Sequence, residues 1–260
     1  MRIALLSDIH GNLPALEAVV ADIRRRGVDR IVNLGDILSG PLMPLETARY
    51  LMAQGWPTIA GNHERQLLAI TPLKPGAGSD RFARATLGDE ELAWLRSLPR
   101  TLRLTDEVLL CHGTPRRDIE YFLDTQDGPR LRLASAAEVA SRLGQERTRM
   151  ICCGHTHIPR VLRSARGQWL VNPGSVGLQA WDDEHPVHHV AETGSPDARY
   201  AVIERRADGW HVEHLAVPYD HESMARLASA HGREDWARWL RTGRAAIVAG
   251  DAHVAGATSR

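Results

Sequence analysis

The chain has 260 residues, 13 of them His, and its 32 Lys+Arg balance 32 Asp+Glu to a formal charge of zero. That balance disfavours a protein that grips nucleic acid by neutralising phosphates, and 43% apolar with 25% charged residues excludes a disordered chain. Cys111, Cys152 and Cys153 lie in apolar runs without CxxC spacing, so buried reduced thiols are expected rather than disulfides or a thiolate zinc site.

Residues 2–7 read as a buried strand, too short an apolar run for a secretory or membrane segment. With no run of 18 apolar residues elsewhere, a soluble cytoplasmic protein is expected. Leu13, Leu16, Val19, Val20 and Ile23 then recur at helical spacing, with Asn12 as N-cap, Pro14 in the first turn and Gly27 as the stop. A strand at 30–34, a helix at 44–54 and a strand at 56–60 continue an alternation that predicts right-handed crossovers and layered sheets. Residues 62–98 read as interrupted helix around a Pro/Gly loop at 71–79, followed by strands at 101–104 and 107–111.

The Arg- and Asp-rich segment 113–134 reads as irregular. A helix at 135–143 leads to a strand at 149–153, and hairpins follow at 159–172 and 199–217. Between the hairpins, 173–198 has no period and reads as a long functional or covering loop. Closing helices within 220–242 complete a single domain of residues 1–242, and 243–260 reads as a flexible tail. Trp94, Trp236 and Trp239 fit helical core positions.

Five apolar runs end in ligand-type residues. They run into Asp8-Ile9-His10, Gly35-Asp36, Gly61-Asn62-His63-Glu64, His112-Gly113 and Gly154-His155-Thr156-His157. In layered sheets, residues just past the strand ends converge on one rim. The spacing of two in Asp8/His10 and His155/His157 would aim each pair to one side of an extended backbone. So many carboxylates and imidazoles packed together need a counter-charge, which bound cations supply. Nitrogen and oxygen donors without thiolate suit Mn, Fe, Zn, Ni or Co, and seven ligands exceed one four-coordinate ion but fit two.

This ordered set resembles the calcineurin-like metallophosphoesterases. With Asn172-Pro173-Gly174-Ser175-Val176-Gly177, it is most similar to their small bacterial phosphodiesterase-like branch. The resemblance implies an α/β fold, a four-layer α-β-β-α sandwich with mixed sheets, and two divalent metal ions. One ion would be held by Asp8, His10, Asp36 and His157, the other by Asp36, Asn62, His112 and His155, with Asp36 bridging. His63 matches the family's non-ligand histidine that assists the leaving oxygen.

Two ions about 3.5–4 Å apart clamp phosphoryl oxygens and acidify a shared water, so a bridging hydroxide would attack in line. The expected reaction is hydrolysis of phosphodiesters of small molecules or nucleotides. A phosphomonoesterase, a dinucleoside polyphosphate hydrolase and a non-catalytic protein-binding scaffold remain alternatives. The absence of Arg-Gly after Asp36 and of Arg before Asn62 disfavours the protein-phosphatase and symmetrical dinucleoside polyphosphate hydrolase types. Glu64 is expected to orient a histidine, and Arg116 is the weak choice for receiving substrate phosphate. His185, His188 and His189 read as solvated or substrate-facing; His211, His214, His221, His231 and His253 read as surface or interface residues. The expected partner is a small phosphoester or nucleotide, without nucleic acid or membrane, and a homo-oligomer is left open.

Overall fold

The computed structural model describes residues 1–71, 73, 76 and 78–245. β1 (Arg2–Leu6) leads to α1 (Leu13–Arg26), and β2 (Arg30–Asn33) to α2 (Pro44–Gln54). α1 begins where Asn12 Oδ1 accepts the Ala15 N–H at 3.2 Å and ends at Gly27 with φ 66°. Short helices α3 (Asn62–Leu68), α4 (Gly78–Thr86) and α5 (Asp89–Ser97) precede β3 (Thr101–Thr105) and β4 (Val108–Cys111). The chain continues through β5 (Asp124–Asp127), β6 (Arg130–Leu133), α6 (Ala136–Leu143), β7 (Met150–Cys152), β8 (Arg160–Arg163) and β9 (Trp169–Asn172). β10 (Ala180–Asp183), β11 (His189–Glu192), β12 (Ala198–Arg206), β13 (Gly209–Val217), α7 (His221–Ala230) and α8 (Glu234–Thr242) complete it.

Two mixed sheets, β13-β12-β1-β2 and β3-β4-β7-β9-β8, form the body. The period-two alternation of their strands sorts side chains between layers. Ile3 and Leu5 of β1 meet Val108 and Leu110 of β4 in the core between the sheets. Ala4 and Leu6 face the other way, onto Leu16, Val19 and Val20 of α1. Leu109 and Ile151 likewise turn outward, onto Val139 and Leu143 of α6. The result is the expected four-layer α-β-β-α sandwich.

Three expectations need correction. Residues 56–60 contribute only a bridge, Asn33↔Thr58, because Pro57 has no N–H to donate and the Ala60 N–H turns to Pro99 O at 2.8 Å. Segments 113–134 and 173–198, read as irregular and as loop, together supply a third sheet, β10-β11-β6-β5. Asp-Thr-Gln-Asp has no apolar residue, and the two leucines of Arg-Leu-Arg-Leu are the whole of the alternating signal in β6. Pairing across distant chain, Val190 against Arg130, makes them strands.

α7 and α8 pack Ala225, Trp236 and Leu240 against Leu178, Ala180 and Val190. Of the expected tail, Ala245 is buried in that same cluster, while residues 246–260, including His253, lie outside the described residues. The three cysteines are free and buried, and burial pushes their thiols up, which leaves them inert. No described helix is long and apolar enough to cross a membrane.

Candidate active site

The strands deliver the ligand-type residues to one rim through unusual backbone. Asp8, His10 and Asp36 all have φ of 53°, His155 71° and His157 61°, and no other described non-glycine residue has positive φ. The pairs therefore converge through left-handed turns, not through the extended alternation expected from their spacing. Such conformations cost of order 1 kcal/mol or more each and persist only where surroundings fix them. Here the Asp8 and His10 N–H groups donate to Gly35 O (3.0 Å) and Asp36 O (3.1 Å), while His155 N–H donates to Asp8 Oδ2 at 3.1 Å. Gly61 is required because a Cβ there would land on the Asp36 carboxylate.

Two groups of ligand atoms result, each within 4.8 Å: Asp8, His10 and His157, and Asp36, His112 and His155. Nδ1–H of His10 donates to Ser39 O (2.7 Å), that of His112 to Leu34 O (2.7 Å) and that of His157 to Leu178 O (2.6 Å). Those carbonyl acceptors fix the tautomer and leave each Nε2 for a ligand. His10 Nε2 and His157 Nε2 then face one another at 3.1 Å, an arrangement of two lone pairs that a cation relieves. Asn62 Oδ1 is buried with no hydrogen-bond partner, as a ligand oxygen would be without its ion. The residues present thus fit divalent metal, and the N/O donor set suits Mn, Fe, Co, Ni or Zn.

The buried carboxylates hold positive charge at this rim. Burial opposes charge on Asp36 and His112, yet their attraction across 2.8 Å prevails, holding Asp36 well below the carboxylate range and His112 up at about 10. Burial and neighbouring imidazoles hold His10 down at about 3, and burial with His112 holds His155 at about 4, so both offer neutral nitrogens.

Both groups open onto a cavity of about 1140 Å³. His63 also lines it, and its Nδ1 lies 2.8 Å from Asp80 Oδ1 on α4. Burial disfavours the charged ring, but Asp36 and the Asp80 hydrogen bond outweigh it and raise His63 to about 9. The Asp80 carboxylate favours the protonated ring, and with Nδ1 engaged His63 has Nε2 left for a ligand.

A calcineurin-like phosphoesterase superfamily domain matches residues 1–194. The chain belongs to that superfamily. It is thereby a metal-dependent phosphoester hydrolase. A metallophosphoesterase from Sphaerobacter thermophilus superposes with a TM-score of 0.73 at 27% identity, covering 94% of this chain and 100% of that one. A hypothetical protein from Pyrococcus horikoshii OT3 shares the fold at TM-score 0.68 and 19% identity, over 94% and 99% of the two chains. An uncharacterized protein of Methanocaldococcus jannaschii is 28% identical over 231 residues, 84% of this chain and 88% of the relative.

Other residues of this phosphoesterase differ from expectation. Glu64 orients no histidine. Its buried carboxylate accepts the N–H groups of Asp36 (2.8 Å), Ile37 (2.9 Å) and Gly61 (2.7 Å), which pins the turn carrying Asp36. Arg116 forks onto Glu120 at 2.7 and 2.9 Å and is absent from the cavity lining, where Arg65 and Arg233 stand instead. His185 lines the cavity and His188 lies 3.9 Å from Asp182, but His189 is wholly buried and bonds Tyr121 Oη at 2.8 Å. Trp236 and Trp239 are core residues as expected, and also wall the cavity.

Two supports were not anticipated. Asp80 sits in no motif. Asp124, fully buried, accepts from Thr156 Oγ1 (2.8 Å) and Arg160 Nε (2.9 Å), and so steadies the residue between His155 and His157. Asn172 Nδ2 adds bonds to Gly154 O (2.7 Å) and Thr156 Oγ1 (3.1 Å), and Ser175 Oγ donates to Asp8 O at 2.7 Å. The Asn-Pro-Gly-Ser segment is thus a clasp across both ligand turns.

Proposed function

We propose that this protein hydrolyses phosphodiesters of small molecules or nucleotides, using two divalent ions held by Asp8, His10, Asp36 and His157 and by Asp36, Asn62, His112 and His155. One observation carries the reading: both ligand groups and His63, which stands outside them, border a single cavity. When bound, the ions supply positive charge for the phosphoryl oxygens and acidify a water between them.

The chain's own groups do the rest. Asp36, with a carboxylate kept ionised, belongs to both ligand sets, and its Oδ1 also accepts the His63 N–H at 2.9 Å. That bond ties the acid to the metal bridge. In the reaction, a new P–O bond forms from water oxygen and the P–O bond to the leaving alcohol breaks. His63 Nε2 gives its proton to the departing oxygen and regains one from solvent, while the attacking water loses a proton to solvent. Asp80 holds the imidazolium in place throughout. A diester needs fewer fixed cations than a monoester or polyphosphate. This suits a cavity whose two described arginines are already paired, Arg65 with Asp118 and Arg233 with Asp235.

The test is hydrolysis of bis-p-nitrophenyl phosphate against p-nitrophenyl phosphate with added Mn²⁺, Ni²⁺ or Zn²⁺. Diester turnover that needs metal and exceeds monoester turnover supports the reading. Metal binding without turnover of either ester would overturn it.

A further inference from the structure

Beyond the ligand residues, the cavity wall carries Tyr121, Trp181, Trp236 and Trp239, and three of these four rings abut a candidate ligand histidine. Tyr121 lies 5.2 Å from His155 and Trp181 5.9 Å from His157, between ring centroids, and Trp236 lies 5.9 Å from His10. Those three histidines belong to the two groups of candidate metal ligands. The three rings are not equivalent. Trp236 already carries a cation on its face, the Arg233 guanidinium at 5.6 Å. Tyr121 and Trp181, 6.1 Å apart and inclined by 52°, form a corner with no such cation among the described residues.

Asp183 completes that corner. It shares a face of β10 with Trp181, because strand side chains alternate. Asp183 and Tyr121 both line the cavity, and the Asp183 charge, after burial, helps push the Tyr121 phenol up. No guanidinium lies within ion-pair distance of Asp183 among the described residues; its contacts are the His185 N–H at 2.8 Å and the exposed His185 ring at 3.5 Å. The phenol is committed as well, donating to His189 Nε2, since His189 Nδ1 is spent on Val187 O at 2.8 Å. The corner therefore offers two ring faces and one carboxylate.

Ring faces plus a carboxylate select an organic cation. We propose that Tyr121, Trp181 and Asp183 form a subsite for a positively charged leaving group, an amino or quaternary ammonium alcohol esterified to the scissile phosphate. This rests on the phosphodiesterase reading above. The same wall disfavours a second phosphate, since Arg65 and Arg233 are both held by carboxylates and none of the described lining residues supplies a spare cation.

The experiment compares kcat/KM for glycerophosphocholine and for glycerophosphoglycerol, a diester whose alcohols are neutral, in the Mn²⁺-loaded enzyme. A preference of about tenfold for the choline ester is expected. It should fall to within about twofold in Asp183→Asn and in Trp181→Leu. Equal rates in the unmodified enzyme, a ratio unmoved by both substitutions, or faster cleavage of thymidine 5′-p-nitrophenyl phosphate than of the choline ester would each overturn the subsite. Bis-p-nitrophenyl phosphate in parallel separates the two failures. If no diester is cleaved, the activity reading falls, and choline titrated into metal-free protein decides the subsite alone. Saturable quenching of tryptophan fluorescence that Asp183→Asn abolishes supports it, and its absence overturns it.

Discussion

His63 and Asp80 are joined by a 2.8 Å hydrogen bond between two helices that share no motif. The bond sets both the orientation and the charge of the histidine, because it occupies Nδ1 and favours the imidazolium. Asp80→Asn removes the ionic part of that support. A kcat loss of roughly 10–100-fold is expected, less than the roughly 100–10,000-fold that a general acid contributes, with metal content unchanged. His63→Ala should lose more rate and also keep its metal. Elemental analysis beside initial rates checks both, and an empty metal site in His63→Ala would make that residue a ligand rather than an acid.

Asp36→Asn should behave in the opposite way. In the proposed arrangement its carboxylate is shared by both ligand sets, so both metal affinities and nearly all activity should fall together. Calorimetric titration with Mn²⁺ in chelator-treated protein reads this directly. Retention of two bound ions at unchanged affinity would remove Asp36 from the bridging position.

Asp124→Asn tests the brace under the His155–His157 turn. It leaves Arg160 without its counter-charge, which is 29% exposed, so a stability loss of about 2–3 kcal/mol is expected, less than for a wholly buried pair. Metal affinity should drop by about 10–100-fold, as for groups that orient ligands. Urea unfolding in the presence of chelator separates the two effects. Unaltered metal affinity would show that Thr156 needs no such anchor.

Gly154→Ala probes how tightly the two ligand turns are nested. A Cβ at Gly154 would fall on Ser7 Oγ and lie 2.8 Å from Asp8 Oδ2. The expected cost is about 1–3 kcal/mol of overpacking, with weakened binding at the Asp8 group. Melting temperature and metal stoichiometry check it. A fully loaded, equally stable variant would show that the turns have room to part.

A pH dependence is expected away from the metal site. Asp22 on α1 accepts Tyr200 Oη at 2.6 Å and Arg26 Nε at 2.7 Å, and these bonds outweigh burial to hold its carboxyl below the ordinary value. A depressed carboxyl stabilises the fold above its unfolded pKa, near 3.9, and loses that contribution as pH falls through the folded value. Asp22→Asn should therefore cost about 1–2 kcal/mol equally at pH 7 and pH 5. The difference from wild type should shrink below about pH 4. A difference that vanishes already at pH 5 would contradict the depressed carboxyl.

The candidate ligand residues stand out in the sequence for a mechanical reason. A strand buried on both faces gives an unbroken apolar run, and the first polar residues after it mark the rim. Ile3–Leu6 into Asp8 and Met150–Cys152 into His155 show this plainly. Their left-handed backbone was not readable, because Asp and His carry no glycine-like signature of it. Asp80 reaches His63 only through the packing of α4 on α3, and Tyr121 meets Trp181 only after a charged third sheet forms. Neither contact has a period or spacing to announce it.

The wall of the cavity has a separate origin from its floor. The candidate ligand residues lie between residues 8 and 157, whereas Trp236, Trp239 and Asp235 come from α8, beyond the matched residues 1–194. Trp181 and Asp183 lie on β10, in the third sheet, outside the two body sheets. Much of the wall is therefore written outside the stretch that carries the ligand motifs, although Tyr121 lies within it. On the proposed reading, exchanging β10 and α8 between relatives would retune which alcohol departs while the ligand motifs stay in place.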